Sequence, residues 1–354
     1  MQTTSQPRKL IVSLVAIGFF ASVILLFYGG DRISDVIRRI IVPQTNDLVS
    51  SSSPLALAPI PWEIPESKDS PVLRFAVIGD FGTGEQPEAD VAVLVNSWNP
   101  DFIITTGDNN YPDGEAATID QNIGQFFHEF IFPYNGGYGD GALENRFFPS
   151  LGNHDWYSEG AQPYLDYFTL PCNERYYEFV WGPVHFFVLD SDTHEPDGAD
   201  IISKQAIWLQ SQLALSISPW KIVYMHHPPY SSGLHGSIDR MQWPFAEWGA
   251  DVVISGHDHT YERISRDRII YFVNGLGGRS KYLFFGKVEG SQVRYNEDYG
   301  AMLVEASEDN ISFQFINRQA VLIDAIKLTQ LTSSIYLPVI YLRRVLSQEK
   351  LDKG

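Results

Sequence analysis

An α/β fold built on a largely parallel sheet is predicted by three observations. Short apolar runs of strand length recur along the 354-residue chain. Several of them end in glycine followed at once by a polar residue. Segments with helical spacing of apolar residues separate them, which is the βαβ grammar of a parallel sheet. A buried strand of such a sheet delivers its next residues to the carboxyl edge, where α/β proteins place their ligands.

The elements follow in order. Val72 to Ile78 reads as a buried strand ending in Gly79-Asp80-Phe81-Gly82. Ala89 to Trp98 has helical spacing. Asp101 to Thr106 is a second strand, ending in Gly107-Asp108-Asn109-Asn110-Tyr111. Ile119 to Phe132 reads as helix, with aromatic residues on one face. Arg146 to Leu151 is a short strand that runs into Gly152-Asn153-His154-Asp155. Tyr176 to Val180 and His185 to Asp190 form a hairpin around Trp181-Gly182-Pro183. Gln205 to Leu215 is a helix expected to bury Ile207, Trp208 and Leu215. Trp220 to Met225 is a strand ending in His226-His227, and Phe245 to Trp248 a short helix. Val252 to Ser255 is the next strand, and Gly256-His257-Asp258-His259 follows it. Ile269 to Val273, Ala301 to Ala306 and Ile311 to Ile316 read as strands, the last two joined by the turn Ser307 to Asn310. Val321 to Leu328 closes the domain.

Composition bounds the function. The formal net charge is −18, which argues against a nucleic-acid backbone as partner. A small phosphorylated substrate stays open, because bound metal ions would reverse the sign locally. The single cysteine, Cys172, rules out an intrachain disulfide and a cysteine-based zinc site, and is expected to be a small buried hydrophobe.

Four regions are expected: a membrane anchor or signal segment (1–42), a Pro/Ser-rich linker (43–70), a catalytic domain (71–328) and a helical tail (329–354). Leu10 to Tyr28 is 19 residues without a charge, long enough to span a hydrocarbon core of ~30 Å. Arg8 and Lys9 precede it, and an uncleaved signal anchor is the favoured reading over a cleaved signal peptide. That reading puts the following domain outside the cytoplasm, membrane-anchored or exported. The tail is read as an amphipathic helix, on a membrane surface or packed on the domain.

Five strand ends carry polar residues: Asp80; Asp108 and Tyr111; Asn153 and His154; His226; His257 and His259. Each alone is compatible with a turn, a helix cap or a packed side chain. Together, in this order, they point to two metal ions. Asp, His, Asn and phenolate suit iron, zinc or manganese. An aspartate between two sites can bridge ions held about 3.5–4 Å apart. A phenolate donor favours Fe(III) at one position.

These blocks, Gly-Asp-x-Gly, Gly-Asp-x-x-Tyr, Gly-Asn-His-Asp, Val-x-x-His and Gly-His-x-His, resemble those of calcineurin-like metallophosphoesterases. Within that family they are most similar to the small, tartrate-resistant type of purple acid phosphatase. The resemblance covers Val72 to Leu328. It implies two mixed β-sheets packed face to face and flanked by helices. It also implies that Asp80, Tyr111 and His259 hold Fe(III), that Asp108 bridges, and that Asn153, His226 and His257 hold a divalent iron, zinc or manganese. His154 and His235 would serve as catalytic residues beside the phosphate, and Asp155 would orient its loop. His227 is left between a site role and a solvent-facing position, and Asp258 has no assigned role. Related nucleases and protein phosphatases begin Asp-x-His, and Gly82 stands in that histidine's place here. The implied activity is hydrolysis of phosphate monoesters by a metal-bound hydroxide. A phosphodiesterase acting on nucleotides or lipids, or a tethered phosphate- or metal-binding protein without turnover, are the alternatives.

Overall fold

The computed structural model describes residues 72–330. The anchor, the linker and all of the tail beyond Gln330 lie outside the described residues. Among those described, no helix is long and apolar enough to cross a membrane.

Thirteen described strands form two mixed sheets. The first sheet holds β1 (Leu73–Ile78), β2 (Phe102–Thr105), β3 (Phe147–Pro149), β11 (Gly300–Ala306), β12 (Asn310–Asn317) and β13 (Leu322–Thr329), in the order β13-β12-β11-β1-β2-β3. The second holds β4 (Tyr177–Trp181), β5 (Val184–Val188), β6 (Trp220–Tyr224), β7 (Val252–Ser255), β8 (Tyr261–Arg266), β9 (Ile269–Asn274) and β10 (Ser291–Tyr295), in the order β10-β8-β9-β7-β6-β5-β4. In the first sheet one end is parallel, β1 with β2 and β2 with β3, and in the second the centre is parallel, β5 with β6, β6 with β7 and β7 with β9. The remaining pairs are antiparallel. So the parallel runs belong to two sheets rather than one.

The sheets face each other through aromatic rings. Phe75 of β1 meets Phe186 of β5 edge-on at 5.1 Å, and Tyr261 of β8 stacks on Phe315 of β12 at 4.1 Å. The two-residue period of a strand then explains why the central strands are apolar throughout. Phe186, Ile222, Val252 and Ile254 face the first sheet. Their neighbours Phe187, Val223 and Val253 face outward, against Leu209 and Leu213 of the helix Lys204–Leu215 and Phe245 of the helix Phe245–Trp248.

Three expectations are corrected. The helix Lys204–Leu215 buries Gln205, Ala206, Leu209 and Leu213, whereas Ile207 and Leu215 are exposed and Trp208 is half-buried. A polar residue takes the core face because its amide is fully used: Gln205 Oε1 accepts from the Asp190 amide at 2.8 Å, and its Nε2 donates to the Asp190 carbonyl at 2.8 Å. Cys172 is exposed, in a turn where its φ of 57° and the Glu174-to-Pro171 backbone bond keep it off the core. Strands β8 and β10 were not expected. β10 is a polar edge strand that bonds only to β8 among the described residues, so it lacks the apolar run that marks a buried strand.

Candidate metal centre

The polar residues after β1, β2, β3, β6 and β7 converge where the carboxyl ends of the two parallel runs meet. Asp80, Asp108 and His257 each follow a glycine and each adopt left-handed backbone, with φ of 56°, 52° and 68°. That conformation is uncommon outside glycine and marks positions the surroundings must hold. The glycines let the strand ends close up. A Cβ on Gly107 (φ 85°) would meet His226 Nδ1 at 2.7 Å, and one on Gly256 would meet Asp80 Oδ2 at 2.5 Å.

Two groups of side chains meet at Asp108. In the first, the Tyr111 hydroxyl lies 2.9 Å from Asp108 Oδ2, 3.2 Å from His259 Nε2 and 3.5 Å from Asp80 Oδ1. His259 Nε2 is also 3.4 Å from Asp80 Oδ1. In the second, His226 Nε2 lies 3.0 Å from Asn153 Oδ1, 3.1 Å from His257 Nδ1 and 3.4 Å from Asp108 Oδ1. All seven expected metal ligands are therefore brought together, and Asp108 is the one that touches both groups. His226, His227 and His257, and separately Asp80, Asp108 and His259, place one donor atom each within 4.8 Å of one another.

The outer bonds set each ring. His226 Nδ1 faces the Thr106 carbonyl at 2.8 Å, and His259 Nδ1 lies 3.0 Å from Ser280 Oγ. The carbonyl fixes the His226 tautomer, and both contacts leave Nε2 turned to the cluster. His154 donates its backbone N–H to Asp108 Oδ1 at 2.9 Å, and its ring sits 4.4 Å from that of Tyr111. Asp155 ties two of the loops, accepting from the Asn109 and Gly152 amides at 3.0 and 2.8 Å. The loop-orienting role expected for it matches this geometry.

The electrostatics call for added positive charge. Burial, and then the neighbouring Asp108, hold the Asp80 carboxyl well above its usual range. Burial would raise Asp108 too, but His226 and His154 outweigh it and hold it low. Burial followed by Asp108 and Asp80 pushes the Tyr111 phenol up. Burial pushes His259 down to about 3 and holds His257 well below its usual value. Two buried carboxylates and a phenol thus share a pocket with imidazoles that resist protonation. No lysine or arginine side chain bonds them among the described residues. This donor set fits two hard-to-borderline cations and suits a proton relay poorly.

Further contributors escaped the sequence reading. Asp258 accepts from Ser231 Oγ at 2.5 Å, the His235 amide at 2.8 Å and the Gly236 amide at 3.2 Å, and so fixes the loop that carries His235. The His235 ring lies 4.3 Å from that of His257. Ser191 Oγ lies 3.0 Å from His227 Nδ1, and His227 is buried against the His257 ring at 4.5 Å, not turned to solvent. Tyr282 stacks on His259 at 4.1 Å. Glu88 holds the Asp80 loop through the Thr83 and Gly84 amides, at 2.7 and 2.8 Å. Asp258, Ser191 and Tyr282 are marked only by partners distant in sequence, whereas Glu88 bonds amides four and five residues before it.

Glu88 gives a pH test. Burial raises its carboxyl to about 8, against amide bonds that favour the charged form. A carboxyl raised on folding supplies stability that is complete below its unfolded value and lost as pH rises through about 8. The Tm of the wild type should therefore fall between pH 5 and pH 8.5 more steeply than that of Glu88→Gln. Parallel Tm profiles would refute this.

Comparison with known proteins agrees with the geometry. The calcineurin-like phosphoesterase model matches residues 73–261. Probable purple acid phosphatase 20 of Arabidopsis thaliana is 27% identical over 265 residues, covering 68% of this chain and 58% of that protein. Purple acid phosphatase 3 of the same plant is 27% identical over 306 residues, 76% of this chain and 81% of that protein. Tartrate-resistant acid phosphatase type 5 of Mus musculus is 24% identical, over 59% of this chain and 73% of its own. Among solved structures, the purple acid phosphatase PPD1 from yellow lupin seeds superposes with a TM-score of 0.59 at 18% identity, over 74% of this chain and 54% of that one. The chain thus spans a little over half the length of some of these relatives and about four fifths of others.

Proposed function

The chain belongs to the calcineurin-like phosphoesterase family, and on that premise we propose that it is a two-metal phosphatase that hydrolyses phosphate monoesters. The observation that carries this reading is Tyr111. Its hydroxyl sits within 2.9–3.5 Å of Asp108, His259 and Asp80, while Gly82 leaves the usual histidine position empty of a donor. Asp80, Tyr111 and His259 would hold Fe(III), and Asn153, His226 and His257 a divalent ion, with Asp108 between them. When bound, the ions would supply a hydroxide nucleophile and neutralise the phosphoryl oxygens.

The chain's own residues do the rest. Asp108 ties the two groups at a fixed spacing. His154 directs Nδ1 to the Pro112 carbonyl at 2.5 Å, which leaves Nε2 facing the cluster, 3.9 Å from Asp108 Oδ2. From there it can give a proton to the leaving oxygen. His235, across the histidine cluster, is the second proton donor or phosphate contact. The apolar segment Leu10 to Tyr28 would tether this domain to a membrane, outside the cytoplasm.

Purified protein should contain two metal ions and hydrolyse p-nitrophenyl phosphate faster than bis-p-nitrophenyl phosphate. A preference for the diester would instead make it a phosphodiesterase. Tyr111→Phe should lose the visible phenolate-to-iron absorption band while keeping the fold. An unchanged spectrum would sink the role given to Tyr111.

A further inference from the structure

We infer that Arg279 is a specificity-determining residue that binds a second anionic group of the substrate, phosphate or carboxylate, beside the phosphoryl group that reacts. The inference rests on the phosphatase reading above. The segment after β9 is pinned across the site by three backbone bonds: Gly277 N–H to the Gly79 carbonyl (2.9 Å), Arg279 N–H to the Asp80 carbonyl (3.0 Å) and Tyr282 N–H to the His259 carbonyl (2.9 Å). Two of its side chains, Ser280 and Tyr282, are engaged with the His259 ring. Arg279 is not. Its guanidinium lies over the Tyr111 ring, 4.9 Å from the centroid, and it makes no hydrogen bond or ion pair among the described residues. Its side chain is half-buried, so solvent and ligand can reach it.

An arginine in this state is unusual for the chain. Carboxylates outnumber lysine and arginine by 43 to 25. Arg74, Arg175, Arg263 and Arg318 are each paired with one. Arg279 is instead parked on a ring face, which holds the fork in place while leaving its donors for an anion. The position selects which anion. The Tyr111 oxygen turns toward Asp108 and His259, so the reacting phosphoryl belongs at that end of the ring. A guanidinium over the ring face stands aside from that oxygen, where a group carried by the leaving portion would lie. Bidentate contacts to phosphate or carboxylate are what the guanidinium fork supplies.

The test uses the metal-loaded full chain and three substrates: p-nitrophenyl phosphate, inorganic pyrophosphate and 2-phosphoglycolate. In Arg279→Met, the kcat/KM ratio of at least one doubly anionic substrate to p-nitrophenyl phosphate should fall about 10- to 100-fold, the range for a charged hydrogen bond, with partial recovery in Arg279→Lys. The ratio that falls identifies the second group as phosphate or carboxylate. If both ratios stay within about threefold of wild type, less than such a bond supplies, the assignment is overturned. A wild type inactive on all three would instead overturn the phosphatase reading. Arg279 is then judged by calorimetric Kd values for phosphate, pyrophosphate and 2-phosphoglycolate. Weaker binding of a doubly anionic ligand alone supports it, and an equal change for all three, or none, refutes it.

Discussion

Asp108→Asn is expected to lose metal from both sites together and to lower kcat/KM by at least about 10³-fold, since several kcal/mol of transition-state stabilisation depend on the ions. The reason is its position. One carboxylate oxygen lies 2.9 Å from the Tyr111 hydroxyl, and the other lies 3.4 Å from His226 Nε2 and accepts the His154 amide at 2.9 Å. No other side chain among the described residues bridges the side chains of both donor groups in this way. An amide keeps the shape but offers one neutral oxygen in place of two charged ones. Changing a residue of a single group, such as Asn153, should cost mainly the ion on that side. Metal content by mass spectrometry and the rate on p-nitrophenyl phosphate, read on the same preparation, check this. Full metal content at the wild-type rate would end the bridging assignment. A circular dichroism spectrum equal to wild type would tie the loss to the site, because the sheets are held by the aromatic core and do not depend on Asp108.

The parts legible in the sequence were those whose signal is local. An apolar run closed by glycine and a polar residue announces a strand end at Asp80, Asp108, Asn153 and His257, and one closed directly by a histidine does so at His226; all five are found together. Apolar runs do not say which sheet a parallel strand joins, so the division into two sheets came from the resemblance. The helix Lys204–Leu215 was turned the wrong way because hydrophobic periodicity cannot see Gln205, whose burial depends on bonds to Asp190. The same limit hid Ser280, which reaches His259 across 21 residues, and Asp258, which reaches Ser231 across 27. A polar side chain whose partner is far away in sequence looks like any loop residue.

Asp258 shows what that limit conceals, and it carries the second large effect. Between two ligand histidines it could pass for a spacer. It is fully buried, and its carboxylate accepts the Ser231 hydroxyl and the His235 and Gly236 amides. Gly233 packs so close that a Cβ there would overlap the Asp258 side chain. Asp258→Ala would strand buried donors at a cost of about 1–3 kcal/mol each, so the Tm should fall by many degrees. The His235 loop would shift, and a displacement of ~1 Å at a reacting group can cost about 10²-fold in rate. The turn that presents His257 and His259 is kept by backbone bonds instead, from Asp258 N–H to the Gly256 carbonyl and from Thr260 N–H to the Asp258 carbonyl. Metal content and the visible band should therefore survive in Asp258→Ala while kcat falls. In the double variant with His235→Ala, the second change should add little, since both remove the same contact. Additive losses, or loss of metal from Asp258→Ala, would mean that Asp258 serves the ligand histidines directly and that the His235 loop stands without it.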